Sequence, residues 1–133
     1  SDLDPSPKAA ELGRQSIQRA RFLQLAIRQG CPAPCSEEQM FLLGLLSKLD
    51  ALLGQPMQDI IADMPLDEQI KGALLWQKNE SRIWLALLVA LENADWQGAM
   101  RLLKYYRMDS QQAALLWAEA GVWAQAIATG TQA

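Results

Sequence analysis

Histidine is absent from this chain of 133 residues, and that absence excludes more chemistry than any motif present supplies. Water-activating metallohydrolases hold their ions on imidazoles and carboxylates. Nucleophilic dyads of the Ser–His or Cys–His kind use imidazole as base. Neither arrangement can be built here. Cysteine is scarce too. Cys31 and Cys35 flank Pro32-Ala33-Pro34, and a zinc site takes about four ligands, which two thiols without histidine do not complete. They read as reduced structural thiols of a cytoplasmic protein, with a disulfide across the loop as the alternative. No metal and no cofactor are expected.

Long hydrophobic runs are missing as well. The longest, residues 83–91, is about half the length of a bilayer span, so no membrane partner is expected. The N-terminus has no basic start leading into a hydrophobic stretch, so an intact secretory precursor is not expected. Positive charge is in deficit: 12 Lys and Arg against 15 Asp and Glu give a net charge of −3. That balance lacks the electrostatic footprint of a nucleic-acid binder. Glycine-rich phosphate loops and nucleophile elbows are absent, and no apolar alternation of period two persists over a useful length.

What remains is helix. Residues 6–29 form the first, with Ile17, Ala20, Leu23 and Ile27 inward, and the Cys-Pro-Ala-Pro-Cys loop ends it. Ser36 N-caps the second, and Gln39 three residues on completes a capping box. Leu42, Leu45, Leu46, Leu49, Leu52 and Leu53 lie on one face of that helix, which is predicted to run to Leu53 with Leu46 central to the core. Gly54 then suits a C-cap with positive φ, and Pro56 opens the next helix. A short helix covers residues 55–63 with Met57, Ile60 and Ile61 inward. Another covers residues 67–76, with Asp67 as N-cap. The fifth starts at Asn79 or Ser81 and is buried nearly all round. The sixth uses Ala99, Leu102, Leu103 and Tyr106. The seventh, capped at Asp109 or Ser110, carries Ala114, Leu115, Trp117 and Ala118 inward to Gly121, and a last turn or two closes the chain. The spacing predicts an all-α compact array of seven to eight helices, with a disordered lead-in at residues 1–7 and one helical domain over residues 8–133.

Several blocks follow one another in order: Arg19-Ala20-Arg21-Phe22, the run FLLGLLSKLDALLG from Phe41 to Gly54, Met64-Pro65-Leu66, Ala73-Leu74-Leu75, and a closing stretch from Tyr106 past Ala118 to Trp123. Together they resemble the C-terminal half of the HDOD (HD-related output) domain, of the type carried by bacterial EAL–HDOD signalling proteins. The resemblance implies an all-helical relative of HD-type phosphohydrolases that has lost the metal-binding histidines. It implies a non-catalytic signalling module whose partner is another protein or an adjacent EAL-type domain, in a cyclic-di-GMP-related protein. It also implies that the front half of the domain is missing from this chain, leaving an apolar patch that a homodimer would cover.

Candidate residues are weighed against plain structural roles. Lys8, Arg14, Arg19, Arg21 and Arg28 read as a solvated helix face. If the domain instead senses a nucleotide messenger, Arg14, Arg19 and Arg21 would supply the phosphate contacts. Asp50 reads as a helix-surface residue, and Asp59, Asp63, Asp67 and Glu68 as a solvated acidic edge. Among five tryptophans, Trp76 and Trp96 sit at helix ends beside polar residues, where an interaction surface would use them. The candidate partner surface is therefore Trp76, Trp96, Arg19 and Arg21.

Overall fold

The computed structural model describes residues 6–130. Residues 1–5 of the expected lead-in lie outside the described residues, but Ser6 and Pro7 already belong to the first helix. The Ser6 hydroxyl accepts from the Ala9 amide at 3.1 Å and Pro7 occupies the first turn, where its lost donor costs nothing. Helix α1 then runs Pro7–Arg28, followed by α2 (Glu37–Leu46), α3 (Leu49–Leu53), α4 (Met57–Ile61), α5 (Glu68–Leu74), α6 (Glu80–Glu92), α7 (Trp96–Leu103), a 3-10 turn (Lys104–Tyr106) and α8 (Ser110–Thr129). The expected all-α array is what forms: eight α-helices among the described residues.

Helix α1 is the spine. On one flank it packs antiparallel against α2, with Arg28 pairing Glu37 near one end and Arg19 reaching Ser47 near the other. On the other flank it packs antiparallel against α8, with Gln29 bonded to Gln112 and Gln18 to the Trp117 carbonyl. Being covered on both flanks, α1 buries Ser16, Gln18 and Arg19 as well as Ala20, Phe22, Leu23 and Ala26, and Ile17 and Ile27 are only half-buried. Helices α5, α6 and α7 close the core from behind. Helix α6 inserts Trp84, Leu85, Leu87, Leu88 and Leu91 into it, as its all-round apolar sequence predicts.

Gly44 lets α1 and α2 approach closely. A Cβ built there would stand 2.6 Å from the Ala20 nitrogen, against backbone that cannot swing away. Gly54 takes φ 64° at the end of α3, the left-handed cap expected of it.

Two boundaries differ from the sequence-based expectation. The leucine-rich helix does not continue to Leu53 but breaks at Ser47 and Lys48. The Ser47 hydroxyl donates to the Gly44 carbonyl at 2.7 Å, and Lys48 leaves helical geometry to reach Glu92. Leu52 and Leu53 are consequently exposed. Leu46 packs only partly buried at the core edge, and Met40 and Leu43 take the central places. Gly121 does not end a helix, and α8 passes through it to Thr129. Its inward face is Ala113, Leu116, Ala120 and Ala124, which leaves Leu115 and Ala118 outside, contrary to expectation. The capping box is half-made. Ser36 accepts from the Gln39 amide, but the Gln39 side chain accepts from the Asp67 amide at 3.0 Å, tying α2 to the start of α5.

Candidate functional site

The arginines expected at a partner surface are engaged inside the fold. Arg19 is buried and grips Glu92 through two bonds of 2.8 and 2.5 Å, with a third to the Ser47 hydroxyl at 2.9 Å. Lys48 adds a contact to the same carboxylate at 3.3 Å. This constellation links α1, the α2–α3 break and the end of α6, so Arg19 is structural. Arg21 donates to Gln24 at 2.6 Å and lays its guanidinium 4.8 Å from the centre of the Trp123 ring, a cation–π contact that ties α8 to α1. Arg14 pairs with Glu11 and Gln18. Three cations with three separate sets of partners do not converge on a phosphate.

The two tryptophans are exposed as expected, at 49% for Trp76 and 37% for Trp96, but they are not neighbours. Trp76 follows α5 and its carbonyl accepts from Arg82 in the first turn of α6, whereas Trp96 opens α7 beyond the far end of α6. The 13 residues of α6 separate them by roughly 20 Å at about 1.5 Å per residue. Trp76 holds φ 58° at a position that favours glycine, a strain of about 1 kcal/mol or more.

Trp96 has company that the sequence did not reveal. It lines a shallow groove of about 340 Å³ with Met100, Ser110, Gln111 and Ala114, where α7 meets α8. Met100, Leu115 and Val122 are all more than half exposed. Leu115, Ala118 and Val122 follow a helical repeat along the outside of α8. Because α8 is apolar on nearly every side, its spacing alone could not separate this stripe from the core-facing one. The i, i+4 step from Trp96 to Met100 was the available signal.

A larger cleft, about 500 Å³, opens between the α1–α2 loop and the 3-10 turn, lined by Gly30, Cys31, Pro32, Tyr105, Tyr106 and Met108 among others. The Tyr106 ring stacks on Trp84 at 3.7 Å, and neither the Tyr106 hydroxyl nor the Trp84 indole N–H has a hydrogen-bond partner among the described residues. Burial holds the Tyr106 phenol protonated well beyond its usual range, with Cys31 and Glu80 adding to the effect. Cys31 and Cys35 are not joined. Burial raises the Cys31 thiol, and burial together with Asp67 pushes Cys35 up to about 11. Thiols held neutral are poor nucleophiles and poor metal ligands.

The acidic residues behave as a solvated edge. Asp59, Asp63, Asp67 and Glu68 are exposed, and Asp67 caps α5 by accepting from Gln69 at 2.8 Å. Asp50 is exposed and accepts from the Ala51 amide. Among the described residues no three Cys, Asp or Glu side chains come together to hold a metal ion, and no helix is long and apolar enough to cross a membrane.

Over 122 residues, 92% of its length, the chain is 34% identical to the cyclic di-GMP phosphodiesterase CdgJ of Vibrio cholerae. Over 114 residues it is 28% identical to the uncharacterized protein YuxH of Bacillus subtilis. The matched stretches are 28% and 27% of those proteins, so the chain spans little more than a quarter of the length of these curated relatives. No family model matches the chain. No solved structure matches it.

Proposed function

We propose that this chain is a non-catalytic regulatory module of the HDOD type, belonging to a cyclic-di-GMP signalling protein of the cytoplasm and working by contact with another protein or domain. The observation that carries this reading is the similarity of nearly the whole chain to one portion of a cyclic di-GMP phosphodiesterase, in a sequence without histidine. The ordered blocks from Arg19 to Trp123 supply the HDOD assignment, and the all-helical array is the fold that assignment calls for. An exposed apolar face around Trp96 gives such a module a surface to work with. Nucleic acid and membrane have no part in this reading. A nucleotide-sensing role is not favoured, because Arg14, Arg19 and Arg21 are each held by internal partners.

The test has two arms. The isolated chain, mixed with cyclic di-GMP and magnesium or manganese, is expected to release no linear dinucleotide and to give no calorimetric heat. Deleting the matched stretch from the Vibrio phosphodiesterase is expected to change its hydrolysis rate severalfold without abolishing it. Hydrolysis by the chain alone, or an unchanged rate in the deletion, overturns the reading. Saturable heat at micromolar nucleotide returns the sensor alternative.

A further inference from the structure

The exposed side of α7 and of the 3-10 turn that follows it carries an apolar row beside basic side chains. Trp96, Met100 and Lys104 follow one another at four-residue steps, and the helical repeat turns Arg101 about 100° away from Met100. Ala99 and Leu103 hold the opposite side in the core. From residue 96 to residue 108 the chain has three cations, Arg101, Lys104 and Arg107, and no anion. In a protein of net charge −3 this is a local reversal of sign. All three are exposed, and none has an acidic partner among the described residues. The nearest acids in sequence are already engaged: Asp95 accepts from the Gly98 amide and Asp109 from the Gln112 amide. Arg107 turns to the cleft at the α1–α2 loop, whereas Arg101 and Lys104 lie together with Tyr105. These two are next in sequence and one turn on from Met100 of the α7–α8 groove, which Leu115 and Val122 continue outward along α8.

We propose that this face docks an amphipathic helix of a protein partner, its apolar stripe entering the groove between Trp96 and Ala114 and its Asp or Glu flank meeting Arg101 and Lys104. The proposal rests on the reading of the chain as an interaction module. Two adjacent helices with apolar outer side chains offer the groove into which a third helix packs. Aromatic and methionine side chains ringed by charge have the composition of an interface centre and its rim. A second copy of this chain is a poor occupant. A two-fold contact sets the same patch against itself, so a patch whose charges are the cations Arg101 and Lys104 meets the same sign and no acidic side chain, and like charges brought together cost affinity.

Selection from a displayed library of designed helices tests this. The helices share one apolar stripe, and their flanking positions are randomised among Glu, Gln and Lys. The protein is expected to enrich Glu-flanked helices, whose affinity falls at least tenfold in the Arg101→Glu/Lys104→Glu variant and falls as salt is raised. That variant is expected to enrich Lys-flanked helices instead. Met100→Ser/Leu115→Ser, two substitutions at exposed positions, is expected to weaken every selected helix. Enrichment without a Glu preference, or binding unmoved by either variant, overturns the proposal. So does a dimer in sedimentation that the same substitutions dissociate, because the occupant is then a second copy. No enrichment at all sinks this surface but leaves the regulatory reading standing, since that reading falls only by the hydrolysis assay and the deletion.

Discussion

At the scale of single residues, Arg19 shows how a charge ends up inside. Its side chain is 6% exposed and that of Glu92 14%, so each ion has lost most of its water and depends on the other. Removing one partner of such a pair costs about 3–5 kcal/mol, because the survivor stays buried and uncompensated. Because Lys48 still meets the Glu92 carboxylate at 3.3 Å, Arg19→Met should lower unfolding free energy towards the lower end of that range in urea titration, and Arg19→Met/Glu92→Leu should recover part of it. A double variant no more stable than the single one contradicts this account. Cys35 gives a pH dependence. Its thiol is pushed up to about 11 from the ordinary 9.0, so between those values the folded chain keeps a proton that the unfolded chain has released. The stabilisation is thus fully present below pH 9 and is lost as pH rises through 11. In a Cys31→Ser background, alkylation of Cys35 by iodoacetamide should stay slow at pH 8–9 and climb towards pH 11. Fast labelling at pH 8 would sink the assignment. The Arg19–Glu92 pair spans 73 positions in the sequence, and no local pattern marks it. From the sequence alone, Arg19 therefore reads as surface.

Helix-scale features were legible where the signal was local. Ser36 and Asp67 cap the helices expected of them, and Asn79 and Asp109 are the caps used where Ser81 and Ser110 were the alternatives, since an N-cap is written in a residue and the amides two or three places on. The break after Leu46 was not legible. It depends on Ser47 and Lys48 bonding to Arg19 and Glu92, which lie on other helices. The break moves the core centre, so Leu43→Ala should cost about 2–5 kcal/mol and Leu46→Ala distinctly less. Equal losses in urea melts would mean that Leu46 is as buried as Leu43. The α1–α2 contact has a sharper test in two glycines. Gly44→Ala places a methyl group against the α1 backbone and should cost about 1–3 kcal/mol through forced helix displacement. Gly13→Ala, within α1 and with nothing near its Cβ position, should stabilise by about 0.5–1 kcal/mol through helix propensity. Thermal melts moving both variants in the same direction would contradict the close approach at Gly44.

On the scale of the whole molecule, the all-α array was readable because apolar spacing, caps and breakers agreed along the chain. Which stripe of α8 faces outward was not readable, because alanine and leucine occur all round that helix. The same composition shapes its stability. Helix α8 is held chiefly by α1 and only lightly by α7, and three of its four fully inward residues are alanines. Its first half has Leu116 and the edge-to-face contact of Trp117 with Phe22 at 5.8 Å. Its second half has Ala124 and the Arg21–Trp123 stack. Buried apolar area sets most of the free energy of local opening, and alanine supplies little of it. Helix α6, with Trp84 and four leucines in the core, stands at the other extreme. Native-state hydrogen exchange should accordingly protect α6 and the middle of α1 up to the global unfolding free energy. Amides from residue 120 to residue 129 should open well below it, in a unit that takes the first two turns of α1 along, since the helices run antiparallel there. Trp123→Ala should widen that gap by removing the stack on Arg21, while leaving α6 protection unchanged. Uniform protection across α1, α6 and α8, or loss of α6 protection in Trp123→Ala, would show that α8 folds and unfolds with the core as one unit.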